Sequence, residues 1–174
     1  MKSDFEILSI AKETIKKEST CIENLLNYVD NDFVSAVKEI FNSKGRVIIS
    51  GIGKSAIIGN KIVATFNSTG TPSIFMHAAE AIHGDLGIIQ PNDIVICISK
   101  SGNTPEIKVL TPLVKANGNK LIAMVGNTDS YLAKSADYVL NCTVDKEACP
   151  NNLAPTPSTT AQPVMCDALA VALL

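Results

Sequence analysis

Two short stretches hold most of the residues in this 174-residue chain that could do chemistry. Ser50-Gly51-Ile52-Gly53-Lys54-Ser55 joins two glycines, which let a backbone approach a ligand closely, to one charge and one hydroxyl. Ahead of a helix, such a loop offers free N–H groups and the positive end of the helix dipole to an anion. Ser99-Lys100-Ser101-Gly102-Asn103-Thr104-Pro105-Glu106 sets three hydroxyls, a glycine and an amide before a proline suited to the first turn of a helix. Both patterns describe cradles for a phosphate group. Two plainer readings stand beside them: a glycine turn that only packs helix on strand, and a Ser/Thr helix cap. A cap needs one hydroxyl, whereas the second loop has three. Glu106 falls in a first turn, where the dipole alone favours a carboxylate.

Further groups belong with these loops. The only two histidines, His77 and His83, lie six residues apart in His77-Ala-Ala-Glu80-Ala-Ile-His83-Gly84-Asp85, a spacing unlike the helical i, i+4 zinc pair. Lys146-Glu147-Ala-Cys149-Pro150 adds another carboxylate. Two familiar nucleotide motifs fail. A Walker loop needs glycine where Ile48 stands, and a dinucleotide site needs an acidic residue at the end of the second strand, where 71–77 has none.

The elements that must position these groups follow from hydrophobic spacing. Apolar residues at helical intervals predict helices over 4–27 and 31–43, the second ended by Gly45. Short β-branched runs then alternate with helical patterns. Strands are predicted at 46–50, 73–76, 93–99, 120–125 and 138–144, and helices at 54–67, 105–117, 129–135 and 159–174. Pro163 lies inside the last helix, tolerable only in a first turn or as a kink. Alternation of this kind predicts an α/β fold: a three-layer α/β/α sandwich on a five-stranded parallel sheet, flavodoxin-like or Rossmann-like. Helices over 4–43 would precede an α/β core over 45–174. In such sheets ligands bind beyond the carboxyl ends of the strands, where all the groups above would gather.

Composition narrows the function. With 46% hydrophobic and 18% charged residues the chain is globular, and a net charge of −2 excludes a broad basic field for nucleic acid. No stretch approaches the roughly 18 apolar residues of a membrane span, and the start has no apolar signal core. Five scattered cysteines without a C-x-x-C pair predict reduced thiols and a cytoplasmic protein. The apolar helical pattern runs to Leu174 without a cap, which predicts a truncated chain.

From about Gly45 to Leu174 the sequence resembles the SIS (sugar isomerase) fold, and within it the D-arabinose 5-phosphate isomerases of the Kdo (3-deoxy-D-manno-octulosonate) pathway. The resemblance rests on Gly-Ile-Gly-Lys-Ser (51–55), Ser-Thr-Gly-Thr-Pro-Ser (68–73), His-Ala-Ala-Glu-Ala-Ile-His-Gly-Asp-Leu-Gly (77–87) and Ser-Lys-Ser-Gly (99–102). It continues through Lys-Glu-Ala-Cys-Pro (146–150), Leu-Ala-Pro-Thr (153–156), Ser-Thr-Thr-Ala (158–161) and Asp-Ala-Leu-Ala-Val-Ala-Leu-Leu (167–174). Three positions depart from the family pattern: Ala78, Asn103 and Pro163.

The resemblance implies interconversion of D-arabinose 5-phosphate and D-ribulose 5-phosphate through a cis-enediol, with no required cofactor. It implies catalytic roles for Lys54, Glu106, Glu147 and His83. Glu106 would be the base, Lys54 would stabilise the enediolate or bind phosphate, His83 would assist ring opening, and Glu147 would orient Lys54 or share the base role. Substrate contacts carry over to Gly51, Gly53, Ser55, Gly70, Thr71, His77, Ser99, Ser101, Gly102 and Thr104, with His77 also the seat of an inhibitory zinc. The partner implied is a small pentose phosphate, and the assembly a homo-oligomer, dimer or tetramer, with lipopolysaccharide, capsule or sugar-alcohol metabolism as its setting. The family's further histidine, in a His-Pro-Gly-Gly segment, and its CBS pair would lie beyond Leu174. Alternatives of other kinds are an isomerase of another ketose phosphate and a sugar-phosphate-binding SIS module without catalysis.

Overall fold

A computed structural model describes residues 1–174. Five parallel strands form one sheet: β1 (Val47–Gly51), β2 (Ser73–His77), β3 (Ile94–Ser99), β4 (Lys120–Val125) and β5 (Tyr138–Asn141), in the order β2-β1-β3-β4-β5. β3 is buried along its whole length, which its unbroken apolar run requires in a sheet covered on both faces.

Two hydrophobic layers cover the sheet. On one face Ile49, Ile96, Ile98 and Met124 pack against α1 (Asp4–Asn24), α2 (Asn31–Asn42), α3 (Lys54–Ser68) and α7 (Pro157–Ala172). On the other, Ile48, Val95, Cys97 and Ala123 meet the short α4 (Ala78–Ala81), α5 (Pro105–Ala116) and α6 (Tyr131–Ser135). The α/β/α sandwich expected from the alternation is therefore present. The first helices are no separate unit, because Cys21, Leu25, Phe33 and Ile40 belong to the same core as the sheet.

Boundaries differ by more than one residue in four elements. The first helix ends at Asn24 and continues as a 3-10 turn, Leu25–Tyr28. The fifth strand stops at Asn141, after which Thr143 N–H turns back to Asn141 Oδ1 (2.9 Å). The short helix expected from 129 begins at Tyr131, where Ser130 caps it by accepting from Ala133 N–H. The last helix starts at Pro157, so Pro163 lies beyond its first turn and removes one internal hydrogen bond. All five cysteines are free thiols. No helix is long and apolar enough to cross a membrane.

Candidate functional site

The strand order reverses between β1 and β3. The helix after β1 leaves to one face, with Ile58, Ile62 and Phe66 in one core layer, and the helix after β3 leaves to the other, with Ile107, Leu110 and Val114 in the second. This divergence opens a crevice at the carboxyl edge, the usual ligand position in an open α/β sheet. Both Gly/Ser-rich loops end on it.

The first loop follows Gly51, which is buried; a Cβ there would stand 3.1 Å from the Ser55 backbone. Gly53 caps α3 with φ 59°, a conformation glycine adopts without strain, and no side chain satisfies the helix start. Ala56 N–H turns back to Gly53 O (3.1 Å), which leaves the N–H groups of the exposed Lys54 and the half-buried Ser55 without an acceptor.

The second loop is braced from within. Ser99 Oγ accepts from Gly102 N–H (3.1 Å) and lies 3.2 Å from Thr104 Oγ1. Ser101 Oγ accepts from Asn103 N–H (3.2 Å), and Asn103 Oδ1 accepts from Tyr131 N–H (3.1 Å). Gly102 has φ 62°, and a Cβ on it would fall 2.0 Å from Ser130 Oγ. Thr104 occupies the N-cap of α5 without its side chain capping it, so this is no ordinary Ser/Thr cap. The first turn of α5 begins at this carboxyl edge of the sheet with no side chain capping it, and half-buried Glu106 lies in that turn.

The histidine segment folds into structure that the sequence did not disclose: α4, and a 3-10 turn at Asp85–Ile88. His77 ends β2 directly beside Gly51 in the strand register. Its Nδ1 accepts from Ala79 N–H (3.3 Å), which assigns the neutral ring proton to Nε2, and its ring meets Phe75 edge-on. His83 is exposed just after α4. No three His, Cys, Asp or Glu side chains are grouped to hold a metal ion. His77, with one ring nitrogen already engaged, offers a zinc ion a single donor, so the residues present do not fit a zinc site.

Glu147 is placed differently from the expected pairing with Lys54. Its side chain is fully shielded from solvent, and Oε1 accepts from Lys100 Nζ (2.5 Å) and Ser158 Oγ (2.5 Å). Oε2 accepts from Thr156 N–H (2.8 Å), with Thr156 Oγ1 at 3.3 Å and Ser158 N at 3.4 Å. Burial pushes this carboxyl upward, but the bonds from Lys100, Ser158 and Thr156 outweigh it and hold it at about 2. Two residues on, Cys149 Sγ accepts from Leu153 and Ala154 N–H (2.9 and 3.0 Å), and those bonds, Ala154's first, lower its thiol. Sequence reasoning assigns no role to Lys100, Thr156 or Ser158. The one visible signal is a lysine between two serines.

Not every expected contact converges. Gly70 and Thr71 lie just before β2, where Pro72 O accepts from Val47 N–H (2.9 Å) at the start of β1. That is the opposite edge of the sheet, so one copy of the chain does not bring them to the crevice. None of the six ion pairs engages Lys54, Glu106 or His83, which leaves these three charge-bearing or titratable side chains uncommitted. A cavity of about 310 Å³ beside Lys146, lined also by Lys16, Lys17 and Thr20, adjoins the 147 segment but contains neither loop.

Comparison with known proteins agrees with this geometry. Residues 39–172 match the SIS domain. The chain is 49% identical over its full length to arabinose 5-phosphate isomerase KdsD of Pseudomonas aeruginosa, and 48% identical to the protein of that name from Escherichia coli K12. It spans 53% of the length of each, about half of these relatives. Among solved structures, an Escherichia coli CFT073 protein in complex with arabinose 5-phosphate superimposes with a TM-score of 0.94 at 39% identity, covering 99% of this chain and 92% of that one.

Proposed function

This chain belongs to the SIS domain family, and from that premise we propose that it is the isomerase part of an enzyme interconverting D-arabinose 5-phosphate and D-ribulose 5-phosphate. The observation that carries the reading is the 99–104 loop, built for a phosphate, with Glu106 in the first turn of the helix it opens. The choice of pentose is supported by the relatives' names and by the arabinose 5-phosphate bound in a neighbour 39% identical.

The reaction moves one proton from C2 to C1 and one hydroxyl proton from O2 to O1. A carboxylate base removes the C2 proton of the open-chain aldose, an enediol forms, and the proton returns at C1. Glu106 suits the base role because its carboxylate is uncommitted beside the phosphate loop. Glu147 does not, because both of its oxygens already accept hydrogen bonds and Lys100 holds it ionised. Lys54 would stabilise the enediolate oxygen, a placement at which a fixed cation has large effects. His83 would serve ring opening, and His77, Gly51, Gly53, Ser55, Ser99, Ser101, Gly102 and Thr104 would bind substrate. No cofactor takes part in these steps.

The proposal extends to a homo-oligomer in the cytoplasm, catalysing the first step toward the Kdo of lipopolysaccharide. The exposed apolar residues of α1 (Phe5, Leu8, Ile15) support the oligomer, as does the placement of Gly70 and Thr71 away from the crevice of their own chain. Replacing Glu106 by Gln should lower kcat for arabinose 5-phosphate by at least about 100-fold, the scale of general base catalysis. Near-normal turnover of Glu106→Gln would remove Glu106 from the base role.

A further inference from the structure

We infer that Lys100, in the middle of the phosphate loop, is a positioning residue: its ammonium is the counter-charge that clamps the Glu147 carboxylate, and with it residues 146–158, against residues 99–104. The inference rests on the reading of this edge as the active site. Its geometric basis is an asymmetry among the donors to Glu147. Thr156 and Ser158 belong to the same segment as Glu147 and merely close that segment on itself. Lys100 alone reaches in from another segment, the loop that follows β3.

The lysine is also well anchored for the task. Its carbonyl accepts from Gly126 N–H (3.0 Å), and Gly126 O accepts from Thr143 Oγ1 (3.2 Å), so β3, β4 and the chain after β5 are stitched together at one level. The Lys100 side chain is 46% exposed while that of Glu147 is 0% exposed. The cation therefore keeps contact with solvent as it satisfies a carboxylate that water cannot reach. A buried carboxylate stripped of its only cation is strongly disfavoured, so opening the pair destabilises the segment that carries Glu147.

Lys100 is the one cation that bonds Glu147. Lys146, Lys16 and Lys17 line the cavity beside the 147 segment, with Asp145 among them, but none of these lysines pairs with the Glu147 carboxylate. The thiols of Cys21 on α1 and Cys149 in its own segment also sense Glu147. Since Glu147 titrates at about 2, below its usual 4.5, the ionised group stabilises the fold above about pH 4.5, and this contribution is lost as the pH falls toward 2.

The test uses the chain with Lys100→Met, Lys100→Arg, Glu147→Gln and the Lys100→Met/Glu147→Gln double variant. Urea unfolding from pH 7 to pH 3 reads the clamp without reference to activity. The parent and Lys100→Arg should lose stability below about pH 4.5 through this group, and Lys100→Met and Glu147→Gln should each lack that loss. In the double variant Lys100→Met should add nothing to Glu147→Gln. With arabinose 5-phosphate, Lys100→Met should lower kcat/KM at least about tenfold, Lys100→Arg should restore most of it, and the double variant should match Glu147→Gln alone. An unchanged acid profile in Lys100→Met, or additive effects in the double variant, overturns the inference. If the parent does not isomerise the sugar, the substrate reading fails while the unfolding profiles still decide the role of Lys100.

Discussion

Gly102 shows how much one residue controls at this site. Its φ of 62° favours glycine, and the space a Cβ needs is taken by Ser130, which caps α6. Gly102→Ala should therefore lower stability by about 1–3 kcal/mol, measured by urea unfolding, and should raise KM for the sugar phosphate because the Cβ forces the loop to shift and draws the residue 102 N–H away from Ser99 Oγ. Residues of this kind were legible in the sequence, since glycines and serines clustered after a β-branched run point to a loop at a strand end. The clamp between Lys100 and Glu147 was not legible. The two lie 47 positions apart, and nothing local distinguishes a lysine that bonds a buried carboxylate from one that faces water. The assignment of Gly70 and Thr71 fails within one chain for a related reason. A motif names a residue's company in sequence but not the edge of the sheet on which it emerges.

At the scale of elements, the alternation of β-branched runs and helical spacing gave all five strands, because a strand buried on both faces must be apolar throughout. It passed over α4, whose four residues are too few for any periodicity, and it overran β5 by three residues. β5 is an edge strand, and the chain protects it with a helix. Asp32 Oδ2, in the first turn of α2, accepts from Val139 N–H (2.9 Å), and Glu39 accepts from the Tyr138 hydroxyl (2.8 Å). Asp32→Ala leaves that strand amide without a partner. It should lower stability by about 1–2 kcal/mol and speed exchange of the Val139 amide hydrogen, read by NMR. The two internal helix prolines, Pro112 and Pro163, mark where periodicity alone is permissive: helices continue through both.

At the scale of the whole molecule, α1 offers solvent a run of large apolar side chains. Phe5 is 81%, Leu8 59% and Ile15 70% exposed, although Cys21 of the same helix is buried in the core. Such a face favours association between copies. Replacing Leu8 and Ile15 together by Glu should reduce the mass measured by light scattering toward that of one chain, while circular dichroism stays unchanged. The sheet itself carries a different consequence. All four strand pairings are parallel, and each is made across a helical crossover, so no hairpin exists anywhere in the chain. The central pair, β1 with β3, meets only after β2 and its flanking segments have been looped out. Folding must close long loops before any strand contact stabilises them, which makes the formation of a parallel sheet slower than that of a bundle of local helical contacts. The two Gly/Ser-rich loops leave the carboxyl ends of that central pair, so they come together only once β1 and β3 have paired.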